Sequence, residues 1–266
     1  MHEVDTERVE TRALQAWHAC FVDAGIAGFD WRLVEVGDAI CSVCSSDPNI
    51  LLNRVLELGS GGPPDRTQLL DIRSVYAEAG IARFFLHLVP GRKDADTEAV
   101  LASAGYEKYR GWMKFVRGAG DIREPATDLE ARPVGLEHGD AFAAIVGPAF
   151  DMLPASEPVL ALLPGVAGHH AFMSFAGDTP AGTGVVFVDG NVGALDWGAT
   201  HPDFRQRGGQ TAVLSTRIRF ALDAGCSMVC TMTGEAVPGD PQHSYGNILR
   251  SGFEEAYLRE NWVPAS

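Results

Sequence analysis

Between Gly198 and Leu214 the chain reads GATHPDFRQRGGQTAVL. A strand-like run ends near Thr200. Arg205, Arg207, Gly208 and Gly209 follow, and a helix-like run begins at once. Backbone N–H groups in the first turn of a helix have no partner within it, and glycines let a ligand come close to the main chain. A turn of this kind suits a phosphate or diphosphate. Arg205, Gln206, Arg207, Gly208, Gly209, Gln210 and Thr211 are therefore the candidate residues for holding a phosphorylated cofactor. A merely solvated basic turn would not need the Arg-x-x-Gly spacing.

The flanking elements must position that turn. Upstream, LEARPV reads as a strand and GLEHGDAFAAIVGPAF as a helix. The Pro-punctuated segment Met152 to Gly168 reads as a short buried helix with loops. HHAFMSF, AGTGVVFV and VGALDWGAT then alternate as strands, and GDTP and DGN mark turns between them, as in an antiparallel meander. Downstream, Leu214, Ile218, Ala221 and Leu222 recur at helical spacing, with Gly225 as the stop. MVCTMT is a buried-type strand. Ser244 is placed to cap a helix that ends at Gly252, and FEEAYLRENWV is a final strand.

The first half repeats this late order: RVLELG, TQLLDIRSVYAEAG, ARFFLHLVP, TEAVLASAG and YRGWMKFV. Its helix stops, Gly80 and Gly105, lie 25 residues apart, against 27 for Gly225 and Gly252. SAGYEKY and RSGFEEAY also match in local wording. A duplicated unit accounts for both, with residues 1–120 and 129–266 as two domains joined by RGAGDIREPATDL, rich in Gly, Pro and charge. Each half has room for one strand after its last helix. Shared sheet edges are therefore expected, because an unpaired edge invites aggregation.

Thr200-His201-Pro202, then Arg205-Gln206-Arg207-Gly208-Gly209-Gln210 opening a helix, and later Asn247-Ile248-Leu249-Arg250-Ser251-Gly252-Phe253, together resemble the GNAT superfamily of acyl-CoA-dependent N-acyltransferases. The resemblance covers about residues 129–263. It implies an α/β fold with a mixed α+β sheet, here a tandem repeat with a degenerate N-terminal half. It also implies acetyl-CoA, or another short acyl-CoA, as co-substrate and a small-molecule primary amine as acceptor, attacking directly in a ternary complex without a metal. Two positions depart from the family pattern. Gln210 stands where Gly or Ala is usual, so its side chain must turn away or crowd the diphosphate. Ile248 stands where many members carry a Tyr that protonates the leaving thiolate.

The resemblance assigns provisional roles. The thioester oxygen would take a backbone N–H near Ala199 or Thr200. Asp196 would accept the amine proton, from the strand face opposite Leu195 and Trp197 by two-residue alternation; a charge at the sheet rim is the plain alternative. Glu235 is a second candidate base, or a solvated loop carboxylate. Tyr245 is a candidate proton donor to the thiolate, or a Tyr packed at a helix start. Asn247 is placed for the cofactor's amide arm, or for a local cap.

RVLELGSGG, Arg54 to Gly62, competes for attention because it resembles the first motif of S-adenosylmethionine-dependent methyltransferases. Pro63-Pro64 delay the helix, however, and ARFFLHLVPG ends without the acidic residue expected to hold a cofactor ribose. This string occupies the place in the first half that VGALDWGAT occupies in the second.

Composition closes other routes. The chain has 266 residues, 46% hydrophobic and 21% charged, with a net charge of −14, which argues against nucleic-acid binding. The charged N-terminus lacks a signal-peptide core, and no run approaches the roughly 18 apolar residues of a membrane span; a cytoplasmic protein with no membrane partner is expected. Nothing in the sequence supports an oligomer. His169-His170 point to opposite strand faces, and the Cys41-x-x-Cys44 pair lacks further ligands, so no metal site is expected. The five cysteines read as packed thiols. The alternative reading of the whole is a non-catalytic acyl-CoA-binding protein, with a methyltransferase behind it.

Overall fold

Gly80, Gly105, Gly225 and Gly252 all adopt left-handed backbone, with φ of +73°, +81°, +91° and +80°. Each closes a helix in the conformation that only glycine takes without a Cβ penalty. The computed structural model describes residues 2–92, 94–239 and 241–265. The first half runs α1 (His2–Ala24), β1 (Trp31–Val36), β2 (Ala39–Cys44), β3 (Arg54–Leu58), α2 (Arg66–Glu78), β4 (Phe85–Leu88), α3 (Ala95–Ser103) and β5 (Tyr106–Arg117). The second runs β6 (Glu130–Val134), α4 (Gly139–Ala149), α5 (Glu157–Leu160), β7 (His169–Ala176), β8 (Thr179–Asp189), β9 (Val192–Thr200), α6 (Gly209–Asp223), β10 (Met228–Gly234), α7 (His243–Arg250) and β11 (Glu254–Pro264).

The strands form one mixed sheet in the order β1-β2-β3-β4-β11-β5-β10-β9-β8-β7-β6. β3 pairs with β4, and β9 with β10, in parallel; the other pairings are antiparallel. Each half ends in a strand that completes the other. β5 lies between β10 and β11, and β11 lies between β4 and β5. The exchange leaves no unpaired edge where the halves meet.

α1 lies across the junction, and its buried side carries Glu10, Leu14, Trp17 and Phe21 at helical spacing. Trp17 meets Trp31 of β1 at 4.7 Å and Trp197 of β9 at 5.1 Å between ring centroids. Its indole N–H donates to the Val159 carbonyl at 3.0 Å. Beneath α1 sits a buried ionic cluster. Glu10 meets Arg54 of β3 at 2.7 Å, Arg259 of β11 at 2.6 Å and Lys114 of β5. Glu7 meets Arg259 at 2.6 Å and Lys114 at 3.7 Å. Buried charges persist only with such mutual partners, since each ion alone would carry several kcal/mol of desolvation penalty.

Cys41, Cys44, Cys226 and Cys230 are buried free thiols, and burial pushes those of Cys41, Cys44 and Cys230 up to about 12. Among the described residues no group of His, Cys, Asp or Glu is arranged to hold a metal, and no helix is long and apolar enough to cross a membrane. His169 packs on Phe187 and His170 on Phe220.

Candidate functional site

β9 and β10 pair only from Val192 to Ala194 against Met228 to Cys230, and then part. Just beyond the last pair, β9 bulges where Trp197 and Gly198 together oppose Gly184. Trp197 takes φ +55°, an uncommon conformation for a bulky residue. The bulge is held from below. Arg217 of α6 donates to the carbonyls of Val185 (3.0 Å) and Asp196 (2.9 Å), and a Cβ on Gly184 would lie 2.5 Å from its guanidinium. The bulge also corrects the alternation expected for this strand. Leu195 packs with α6, whereas Trp197 packs with α1 and α4, so the two lie on opposite faces.

The parting strands leave a cleft of about 130 Å³, bordered by Asp196, Trp197, Gln210, Thr231, Ser244 and Asn247. Asp196 is half-buried, and its carboxylate accepts the Trp197 N–H at 2.8 Å. Burial raises its pKa above the ordinary carboxylate value, a shift opposed by that hydrogen bond and by Arg54 and Lys114.

At one end of the cleft, Gly208 takes φ +79° immediately before α6, and a Cβ there would lie 2.8 Å from the Ala126 carbonyl. No side chain caps this helix, and its first turn has no acidic residue. The first half is built differently at the same stage. Asp65 caps α2 through the Gln68 N–H (2.8 Å), and Asp94 caps α3 through the Thr97 N–H (2.8 Å). In RVLELGSGG the Gly61 N–H donates to the Asp38 carboxylate at 2.6 Å, and Gln68 donates to its other oxygen at 2.7 Å. The glycine loop of the first half thus holds a carboxylate of its own chain. Glu57 mirrors Trp197 with φ +62°, and the β3–β4 register shifts between Val55 and Leu58, yet the two strands pair again at Leu58–Leu88. No comparable splay opens there.

No protein-family model matches the chain, and no curated protein does. Solved structures do. A GCN5-related N-acetyltransferase from Kribbella flavida is 17% identical, over 98% of this chain and 95% of that one, with a TM-score of 0.65. A GCN5-related N-acetyltransferase from Sphaerobacter thermophilus is 13% identical, over 86% and 81%, with a TM-score of 0.59. A tandem GNAT protein from the clavulanic acid biosynthesis pathway is 15% identical, over 88% and 78%, with a TM-score of 0.55.

The chain has the GNAT fold.

Within this GNAT fold the sequence-derived residues separate into those at the cleft and those away from it. Asp196, Gln210 and Asn247 border it. Gly208 and Gly209 form the turn that opens α6, and Thr211 lies in its first turn. Arg205 and Gln206 are exposed. Arg207 pairs with Asp128 of the linker, and its carbonyl accepts the Thr127 hydroxyl, so the linker braces the turn. Ala199 is buried and Thr200 half-buried. Since His201 N–H donates to Ala181, alternation turns the Ala199 N–H toward β8 and the Thr200 N–H toward the splay.

Glu235 accepts the Gly111 N–H at 3.0 Å and fastens the loop after β10 to β5. Tyr245 stacks edge-on against Phe115, and its hydroxyl donates to Glu255. Burial, and then that carboxylate, push its pKa up to about 12. Ser244 does not cap α7. The helix starts at His243, which places Ser244 in its first turn and against the cleft. Thr231 and Ser244 are polar groups at the cleft that sequence reasoning did not select for chemistry, since nothing in MVCTMT marks where the two strands part.

The Gln210 side chain answers the question its position raises. It turns across the cleft, and its carbonyl oxygen accepts the Asn247 amide N–H at 2.9 Å. Gln210→Ala removes this bridge while keeping a helix-forming residue. If the cleft takes acyl-CoA, calorimetric titration should find this variant binding it roughly threefold to tenfold more tightly, the worth of one net hydrogen bond. Weaker binding would instead make Gln210 a ligand contact.

Proposed function

We propose that the protein is an N-acyltransferase that moves an acetyl or another short acyl group from acyl-CoA to the primary amine of a small molecule. The reaction site lies in the second half, residues 129–266; residues 1–120 form a degenerate companion unit. One observation carries this reading. The splay of β9 from β10 joins an uncapped glycine turn to a half-buried carboxylate, whereas the matching place in the first half pairs again and is filled by Asp38.

The residues present fit such a co-substrate. The N–H groups of Gly209, Gln210 and Thr211 would hold the diphosphate, with Arg205 beside them, and Asn247 would meet the amide arm. Acyl-CoA supplies an activated thioester. Asp196 accepts the amine proton, for which a pKa raised toward neutrality suits it better than an ordinary carboxylate. The Thr200 N–H is turned toward the splay, where an oxyanion donor would stand.

Two observations favour a second reading, a non-catalytic acyl-CoA-binding protein. Tyr245 is engaged with Glu255, and Gln210 bridges to Asn247.

Thermal melting with acetyl-CoA tests the site. At about 100 times its dissociation constant a ligand stabilises the native state by roughly 2.7 kcal/mol. Acetyl-CoA should raise the melting temperature of the natural protein and leave that of Gly208→Glu unmoved. A shift with S-adenosylmethionine and none with acetyl-CoA would overturn the acyl-CoA reading. Release of CoA together with an amide product in an amine screen separates transfer from mere binding.

A further inference from the structure

On the α1 side of the splay lies a second cavity of about 40 Å³, room for roughly two or three waters. It shares Leu195, Asp196, Trp197, Thr231 and Met232 with the cleft, so the two spaces meet where the strands part. Its apolar wall comes from α1, β8 and β9, with Trp17 and Trp197 the largest members. Its polar wall comes largely from the first half: Glu10 of α1, Arg54 of β3 and Lys114 of β5, together with His169 of β7.

Two of these residues carry a buried nitrogen without a hydrogen-bond partner. They are Nε of Arg54, a residue 4% exposed, and Nδ1 of His169, 8% exposed. Burial pushes the His169 pKa down to about 4, so its ring is neutral. Such buried groups normally have partners, and a bound ligand is one way to supply them.

Charge narrows the ligand. The ionic cluster at this wall sets Arg54, Lys114 and Arg259 against Glu7 and Glu10, leaving one positive charge in excess. Ionised Asp196 balances it. Once Asp196 takes a proton from the acceptor amine, that positive charge is left in a largely apolar enclosure, which is costly. An acceptor with one anionic group keeps the enclosure neutral both before and after the proton moves.

We propose that this cavity receives the head of an amino-acid-like acceptor, whose carboxylate is recognised by Arg54 and Lys114 of the first half while its amine faces Asp196. This rests on the acyltransferase reading above. It makes the first half a contributor to acceptor selection.

The test uses the full-length protein with acetyl-CoA and matched sets of compounds: free amino acids, their carboxamides, and the amines that lack the carboxyl group. CoA release should favour the free amino acids by on the order of 100-fold or more in kcat/KM, as expected when a site's buried charged group loses its partner. Arg54→Gln should shrink that preference. If this variant does not fold, the matched compounds on the natural protein still decide. Turnover of the carboxamides or simple amines as fast as the free acids would overturn the carboxylate proposal and leave the acyltransferase reading intact. In a parallel measurement without acetyl-CoA, free amino acids should raise the melting temperature and their carboxamides should not. Equal shifts, or none while acetyl-CoA still binds, would also overturn the carboxylate proposal. Failure to bind acetyl-CoA would instead bring down the underlying reading.

Discussion

Glu10→Gln is expected to destabilise the protein by about 3–5 kcal/mol, the cost of removing one partner from a buried ionic cluster. At roughly 2–4 °C per kcal/mol for a chain of this size, the melting temperature should fall on the order of 10 °C. Glu10 holds Arg54, Arg259 and Lys114 together, and Glu7 meets only the latter two, so Arg54 would lose its carboxylate altogether. Burial alone would raise the Glu10 carboxyl, but Arg259, Lys114 and Arg54 together drive it well below the ordinary Glu value of 4.5. A carboxyl depressed in the folded state contributes stability above its unfolded pKa and loses it as pH falls through the folded one. The gap between natural protein and variant should therefore be full at neutral pH and narrow below about pH 4.5. Melting curves across pH check this. An unchanged melting temperature, or a gap that ignores pH, would show that the cluster is not held through Glu10.

Asp196→Asn is expected to lower kcat on the order of 10²- to 10⁴-fold, the usual worth of a positioned base, while acyl-CoA affinity changes by less than about twofold. On the proposed acyltransferase reading, kcat/KM of the natural protein should rise with pH through a midpoint above the ordinary Asp value of 3.8, because burial raises this carboxyl. The variant should lack that limb. Steady-state rates across pH, with calorimetric titration of acyl-CoA, separate the two effects. An unaltered rate in the variant removes Asp196 as the base; a large loss of affinity makes it a binding residue.

Much of the fold was legible because its signals are local. Helix stops depend on one residue tolerating positive φ, and Gly80, Gly105, Gly225 and Gly252 all do so. The meander β7-β8-β9 follows from alternation and from the turns GDTP and DGN. The glycine turn before α6 was readable for the same reason, because one left-handed residue and a helix start lie side by side in the chain. α1 escaped notice. Its buried side includes Glu7 and Glu10, and carboxylates on a helix read as solvent-facing until their partners are known.

The sequence by itself determined the order of the elements from β3 onward, the place of the glycine turn and the matched spacing of the helix stops in the two halves, since each depends on residues close along the chain. The tertiary structure decided the rest. It placed β5 and β11 each in the other half's register, turned Trp197 away from the face alternation assigns it, set the Asp38 carboxylate against the first half's glycine loop, and closed the buried cluster of Glu7, Glu10, Arg54, Lys114 and Arg259. These features join residues separated by tens to hundreds of positions. Their energies come from shared exclusion of water and from mutual charge compensation, which no local window of the sequence contains.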